Sequence, residues 1–224
     1  MVPLSRVAVQ HLNPRHREDI VRHLLRLPEN DRRLRFGRHM RDDTIREYVE
    51  RINFERDRVF GVHDADLNLI GVAHLALDPA AGVAELGLSV DPTVRAKGYG
   101  FALRERVLLH AANLGYRVLF MYCLAENGIM MHLARKAGLT VVVDAGEADA
   151  RLTLDRVAHG GVLREAMADQ FALVDCMLKQ QYLWLAHRGL ESVPLPTRKP
   201  EAADERRRTA SAAETLQGEV PQRA

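Results

Sequence analysis

The chain is predicted to be a mixed α/β protein, with a central, mostly antiparallel sheet flanked by helices and one long helix after it. Three observations carry this. Short apolar segments in the middle of the chain follow one another across tight polar turns, as the strands of a meander do. Amphipathic helical patterns stand before and after that meander. The last, Val162 to about Arg188, repeats large apolar residues at spacings of three and four.

Taken in order, the stretch from Ser5 to Leu12 alternates weakly and is predicted as the first strand, and Asn13-Pro14 supplies an N-cap and an N1 proline. The helix that follows puts Ile20, Val21, Leu24 and Leu25 on one stripe and stops near Pro28. Residues 28–41 are polar and arginine-dense and are predicted as a connection. A second helix, capped around Asp43, turns Ile45, Tyr48, Val49 and Ile52 inward. The meander comprises Asp57–Asp64, Asn68–Leu77 and Val83–Val90. A helix ends at Gly115, and the continuous apolar run Arg117–Leu124 suits a strand covered on both faces. Gly128–Ala137 is a short helix closed by Gly138, and strands at Thr140–Asp144 and Ala150–Leu154 flank Gly146 as a last hairpin. The long helix stops at Gly189, and beyond Pro194 so few large apolar residues remain that residues 191–224 are predicted to be disordered. The expected division is a domain over 1–155, a C-terminal helix over 156–190 and that tail.

The 224 residues carry 47% hydrophobic and 28% charged residues and a formal charge of +2, a globular composition with no excess of charge for nucleic acid. Cys123 and Cys176 sit in apolar segments and are expected to be buried free thiols in a reducing compartment. No leader pattern opens the chain, and the longest apolar run is too short to span a bilayer, so a cytoplasmic protein without a membrane partner is expected. His63 and His74 have no ligand-spaced partners, so no metal is expected.

The chemistry concentrates between Ser89 and Ala112. A strand end runs through Asp91-Pro92 into a loop with Arg95, Lys97, Gly98 and Gly100, then directly into a helix. A helix N-terminus offers unpaired N–H groups and a partial positive charge, and the glycines let an anion touch backbone. A solvated tight turn is the plainer reading of the loop alone. A P-loop needs Gly-Lys-Ser/Thr, where Gly98-Tyr99-Gly100 stands, and a dinucleotide fingerprint needs glycine where Leu103 stands.

The stretch Leu88–Gly100 resembles the acyl-CoA signature of the GNAT superfamily of N-acetyltransferases, Arg/Gln-x-x-Gly-x-Gly/Ala, matched by Arg95, Gly98 and Gly100. The downstream stretch from Glu126 to Leu139 is similar to the family's next motif, with Asn127, Lys136 and Gly138 in place. The resemblance covers roughly residues 1–155. It implies the acyl-CoA N-acyltransferase fold, acetyl-CoA as cosubstrate and an amine as acceptor. The pyrophosphate is then held by the amides of Arg95, Ala96, Lys97, Gly98, Tyr99, Gly100, Phe101 and Ala102. The pantetheine arm lies along Leu88, Ser89 and Val90, with the amide near Val90 on the thioester carbonyl and Asn127 holding the arm from the neighbouring helix.

An ammonium must lose a proton before it attacks a thioester. Alternation along Val83–Val90 puts Glu85 on one face with the small residues Gly87 and Ser89. Its position also matches a glutamate of the Pat-type protein acetyltransferase branch, which resembles this chain at Asn127 and Met130 as well. Glu85 is the expected general base; an exposed glutamate on a solvated face is the plainer alternative. Where many relatives carry a general-acid tyrosine this chain has Ala134, leaving water or one of Tyr122, Cys123 and His132.

Arg32, Arg33, Arg35, Arg38 and Arg41 lie where this fold forms its acceptor wall. They are expected as a solvated face; lining the wall, they favour an acceptor with a carboxylate over a polycation. The expected reaction is direct acetyl transfer to a primary amine, a protein lysine first and a small amine second. A non-catalytic acyl-CoA sensor is the competing class. The stripe Leu163, Met167, Phe171, Val174, Leu178, Tyr182 and Leu185, widened by Leu173, Met177 and Trp184, must be covered. A homodimer through Val162–Arg188 is expected, against a helix lying wholly on its own sheet.

Overall fold

The computed structural model describes residues 7–136, 138, 140–144, 147–154 and 160–187. Seven strands form one sheet in the order β1-β2-β3-β4-β5-β7-β6. They are β1 Gln10–Leu12, β2 Arg58–His63, β3 Leu69–Asp78, β4 Val83–Val90, β5 Val118–Leu124, β6 Thr140–Asp144 and β7 Glu147–Thr153. Every neighbouring pair is antiparallel except β4 and β5. The helices are α1 Arg17–Arg26, α2 Glu29–Phe36, α3 Asp42–Glu50, α4 Tyr99–Asn113, α5 Gly128–Lys136 and α6 Gly161–His187.

Period-2 alternation in the strands sorts the core into two layers. Phe60, Ala73, Leu86, Leu119 and Met121 point to the face covered by Leu103 and Val107 of α4 and Met131 of α5. Val59 and Val72 point the other way, under Ile20 and Leu24 of α1 and Ile45 and Val49 of α3.

Several expectations are corrected. Of the predicted first strand, Gln10–Leu12 pairs with β2, and Ser5 and Arg6 lie outside the described residues. Residues 29–36 form α2 rather than a connection. With no buried residue it shows no apolar stripe, yet Pro28 precedes it, acids fill its first turn, and Gly37 closes it at φ +73°. Asp43 lies inside α3, whose N-cap is Arg41. β5 is buried through Leu119, Met121 and Cys123 only, while Val118 and Phe120 are partly exposed and Tyr122 exposed, so the strand is not covered on both faces. Cys123 is a buried thiol, but Cys176 is only partly buried. Gly138 does sit at φ +78° behind α5. Gly146, Gly189, Pro194 and the expected tail 191–224 lie outside the described residues.

α6 does not lie on its own sheet by its apolar stripe. Its polar seam docks: buried Arg106 of α4 donates to Glu165 (2.8 Å) and to Asp169, and Asn113 donates to Glu165 (2.6 Å). Ala172 is buried and Lys179 donates to the His63 carbonyl at 3.0 Å. The stripe from Leu163 to Tyr182 is exposed instead, together with Leu173, Met177 and Trp184. Among the described residues no helix is long and apolar enough to cross a membrane.

Candidate functional site: a cleft where two parallel strands part

β4 and β5 pair only from Val83 to Glu85 and Val118 to Phe120. Asp91 N–H donates to the Ile70 carbonyl at 2.9 Å, which fixes the alternation of the β3–β4 ladder. The backbone groups of Glu85, Gly87 and Ser89 therefore face β3, and those of Leu88 and Val90 face the gap left by β5. A cleft of about 630 Å³ fills that gap, a size suited to a small-molecule ligand. It is lined by β4, the loop before α4 and the start of α4, α5, and α2.

One wall is the predicted loop. Ala96 (φ +62°) and Gly98 (φ +86°) are both left-handed, a strained turn that aims successive amides one way. Gly98 caps α4, leaving the amides of Gly98, Tyr99, Gly100 and Phe101 without helical partners. Ala102 does not belong to this set: its N–H already donates to the Gly98 carbonyl at 2.9 Å, so the run stops at Phe101.

The predicted cations are placed differently from one another. Arg95 lines the cleft but turns inward, donating through Nε and Nη2 to the Val90 carbonyl (3.3 Å each) and pairing with Asp31 at 2.9 Å. Lys97 is exposed and outside the lining. Lys136 does line it, with Nζ 5.2 Å from the centre of the Phe101 ring. The sequence showed Lys136 only as the end of a motif; two turns of α5 carry it back to the mouth of the loop.

Leu88, Ser89, Val90 and Asn127 all line the cleft. Asn127 is buried and holds elements together: its Oδ1 accepts from Met130 N–H (3.1 Å) and its Nδ2 donates to the Leu34 carbonyl (3.3 Å). Ser89 donates its hydroxyl to His23 Nε2 at 2.9 Å, and His23 Nδ1 donates to the Leu69 carbonyl at 3.1 Å. Burial pushes His23 down to about 4, so this pair is a neutral brace. The buried His23 was missed because it occupies a position of the α1 stripe where only apolar residues were counted.

Glu85 is exposed, outside the cavity lining, at the last β4 position paired with β5. Of the three residues considered in place of Ala134, His132 alone lines the cleft. Tyr122 stacks on Phe120 on the other face (centroids 6.0 Å apart), and the Cys123 thiol is buried and pushed up by that burial. Ala134 is fully buried.

The arginine cluster divides. Arg32 pairs with Asp42 (2.5 Å), Arg33 with Glu126 (2.5 Å) and Arg41 with Asp43 (3.4 Å), and Arg38 is exposed. Arg35 alone of the five lines the cleft. Among the described residues no group of His, Cys, Asp and Glu could hold a metal.

The family model described as Acetyltransferase (GNAT) domain matches residues 6–140. Among solved structures, the GNAT domain of S. lividans PAT superposes with a TM-score of 0.57 at 16% identity, over 65% of this chain and 89% of that one. An N-acetyltransferase from Staphylococcus aureus Mu50 gives 0.53 at 17% identity, over 67% and 100%. Spermidine N-acetyltransferase from Vibrio cholerae, in complex with CoA and spermine, gives 0.52 at 18% identity, over 67% and 97%. No curated protein matches by sequence.

Proposed function

The chain belongs to the GNAT acetyltransferase family and is an acetyl-CoA-dependent N-acetyltransferase, and from that premise we propose direct transfer of the acetyl group to a primary amine bound at the parting of β4 and β5. The observation that carries this reading is the cleft itself, with helix-start amides at one end and unpaired strand backbone along its side. The pyrophosphate sits on the amides of Gly98 to Phe101, with Lys136 as countercharge. Arg95 acts as the brace of that loop. The pantetheine arm extends β4 along Leu88 and Val90, where the outward Val90 N–H polarises the thioester carbonyl.

Glu85 stands at the vertex, where the thioester arrives, and its exposed carboxylate takes the ammonium proton directly or through one water. The free amine attacks the carbonyl carbon, the C–S bond breaks, and the thiolate leaves protonated by water or by His132. A protein lysine is the first acceptor class, supported by the likeness to a PAT domain. A small amine is the second, supported by the spermidine acetyltransferase among the structural neighbours. The test is free CoA release from acetyl-CoA with a panel of amines and lysine peptides, the acetylated product identified by mass. Acetyl-CoA binding without CoA release above background from any acceptor sinks the reading in favour of a sensor.

The outward stripe of α6 supports a homodimer. The helix extends about 40 Å and exposes Leu163, Met167, Phe171, Val174, Leu178 and Tyr182 along it. A cytoplasmic location is part of the same reading. Phe171→Glu with Leu178→Glu is expected to turn a sedimenting dimer into a folded monomer, because neither side chain is buried in its own subunit. A wild-type chain that sediments as a monomer at micromolar concentration ends the dimer proposal.

A further inference from the structure

We propose that Arg35 binds a carboxylate carried by the amine acceptor, so that this enzyme selects zwitterionic or acidic amines and rejects polyamines. The inference rests on the acetyl-transfer reading above and names its substrate class.

The guanidinium is held, half-buried, with its charge unspent. It lies over Gly87 of β4, in the space a side chain would fill: a Cβ built there overlaps the Arg35 nitrogens. The Phe36 and Tyr48 rings stand 4.9 and 6.0 Å from its Cζ. Arg35 Nη2 donates to Tyr48 Oη at 3.2 Å, and Tyr48 in turn donates to His74 Nδ1 at 2.7 Å. His74 Nε2 completes the chain toward Asp57 Oδ2 at 3.4 Å. One tautomer satisfies all three contacts, and burial with the nearby Arg35 charge pushes His74 down to about 4, which keeps it neutral. Asp57 is itself occupied by Arg56 and by the Leu77 amide. Among the described residues Arg35 forms no ion pair.

A rigid, unneutralised guanidinium lining a cleft is a fork for a carboxylate. Its surroundings leave it that task. The other α2 charge in the cleft, Asp31, is paired with Arg95. Lys136 serves the opposite end, against Phe101. Gly87 shares a strand face with Glu85 and lies roughly 7 Å along the strand from it. An acceptor whose amine addresses Glu85 can therefore place a neighbouring carboxylate on Arg35, whereas a second ammonium meets like charge.

The test uses the full chain and matched acceptors: free amino acids and their carboxamides, a lysine peptide with acidic flanks and its amidated counterpart, and spermidine. The expected result is a kcat/KM about 10- to 100-fold higher for the carboxylate member, even though the carboxamides carry the less basic amine. Arg35→Gln should erase that preference mainly through KM, with acetyl-CoA binding unchanged. Gly87→Ala should do the same by evicting the guanidinium while retaining the arginine. Whether the free amino acid or the acidic peptide responds identifies the source of the carboxylate. Equal rates for acids and amides in the wild type, or a preference that survives Arg35→Gln, overturn the proposal and leave acetyl transfer standing. Calorimetric binding of the carboxylate probes to the CoA complex, lost in Arg35→Gln, supports the subsite even when no acceptor releases CoA, and then only the transfer reading fails.

Discussion

Glu85→Gln is expected to lower turnover by about 10²–10⁴-fold while leaving acetyl-CoA binding intact, the range for loss of a general base. The amide is close in size to the carboxylate and the side chain is exposed, so no packing or folding penalty accompanies the change. The pH dependence gives the role its sharper signature. Near neutrality an amine with a pKa of about 10 is almost wholly ammonium, and the variant has no group to take its proton. As pH rises toward that pKa the free amine appears without help, so the deficit should narrow. A positioning role for Glu85 gives a deficit independent of pH, and turnover equal to wild type at neutral pH removes the base assignment. Because Glu85 stands beside the cleft rather than in its lining, a solvent isotope effect that shrinks in the variant is the expected mark of a water in the path.

What could be read from the chain followed from periodicity and from backbone punctuation. The β2–β4 meander showed its period of two, and Gly98 and Gly100 marked the loop because closely spaced glycines at a helix start are a local signal. α2 was not legible, since a helix that buries none of its residues leaves no stripe to read. The same gap blurred the site's second wall: the five arginines were placed at the acceptor wall but expected as a solvated face, and only the fold puts Arg35 over Gly87 while Arg32, Arg33 and Arg41 pair off. α6 was legible only in part. Its apolar stripe was plain, but the sequence could not show that Arg106, buried in α4, draws Glu165 and Asp169 inward and turns the stripe out. A buried arginine left without its acids costs several kcal/mol, so the acids of α6 face it.

Gly100→Leu is expected to abolish acetyl-CoA binding without harming the fold. Acetyl-CoA at a hundredfold excess over its dissociation constant should stabilise the wild type by about 2.7 kcal/mol. A Cβ at position 100 sits 3.6 Å from Leu133 Cδ1, 3.7 Å from Val90 Cγ2 and 3.8 Å from Leu88 Cδ2, ordinary contacts that the backbone accepts. Those three side chains line the cleft, so everything beyond Cβ must extend into the space assigned to the pantetheine arm. Gly100→Ala should then weaken the ligand-induced shift and Gly100→Leu remove it. Folding moves the other way, because replacing a glycine within α4 favours the helix by up to about 1 kcal/mol. The ligand-free midpoint should hold or rise as the shift disappears, which separates blocked binding from a damaged protein. Gly98→Ala differs in kind: the added Cβ meets open space, but at φ +86° it strains the backbone, costing about 1–2 kcal/mol of stability. A full acetyl-CoA shift in Gly100→Leu takes the α4 start and the β4 edge out of the binding site.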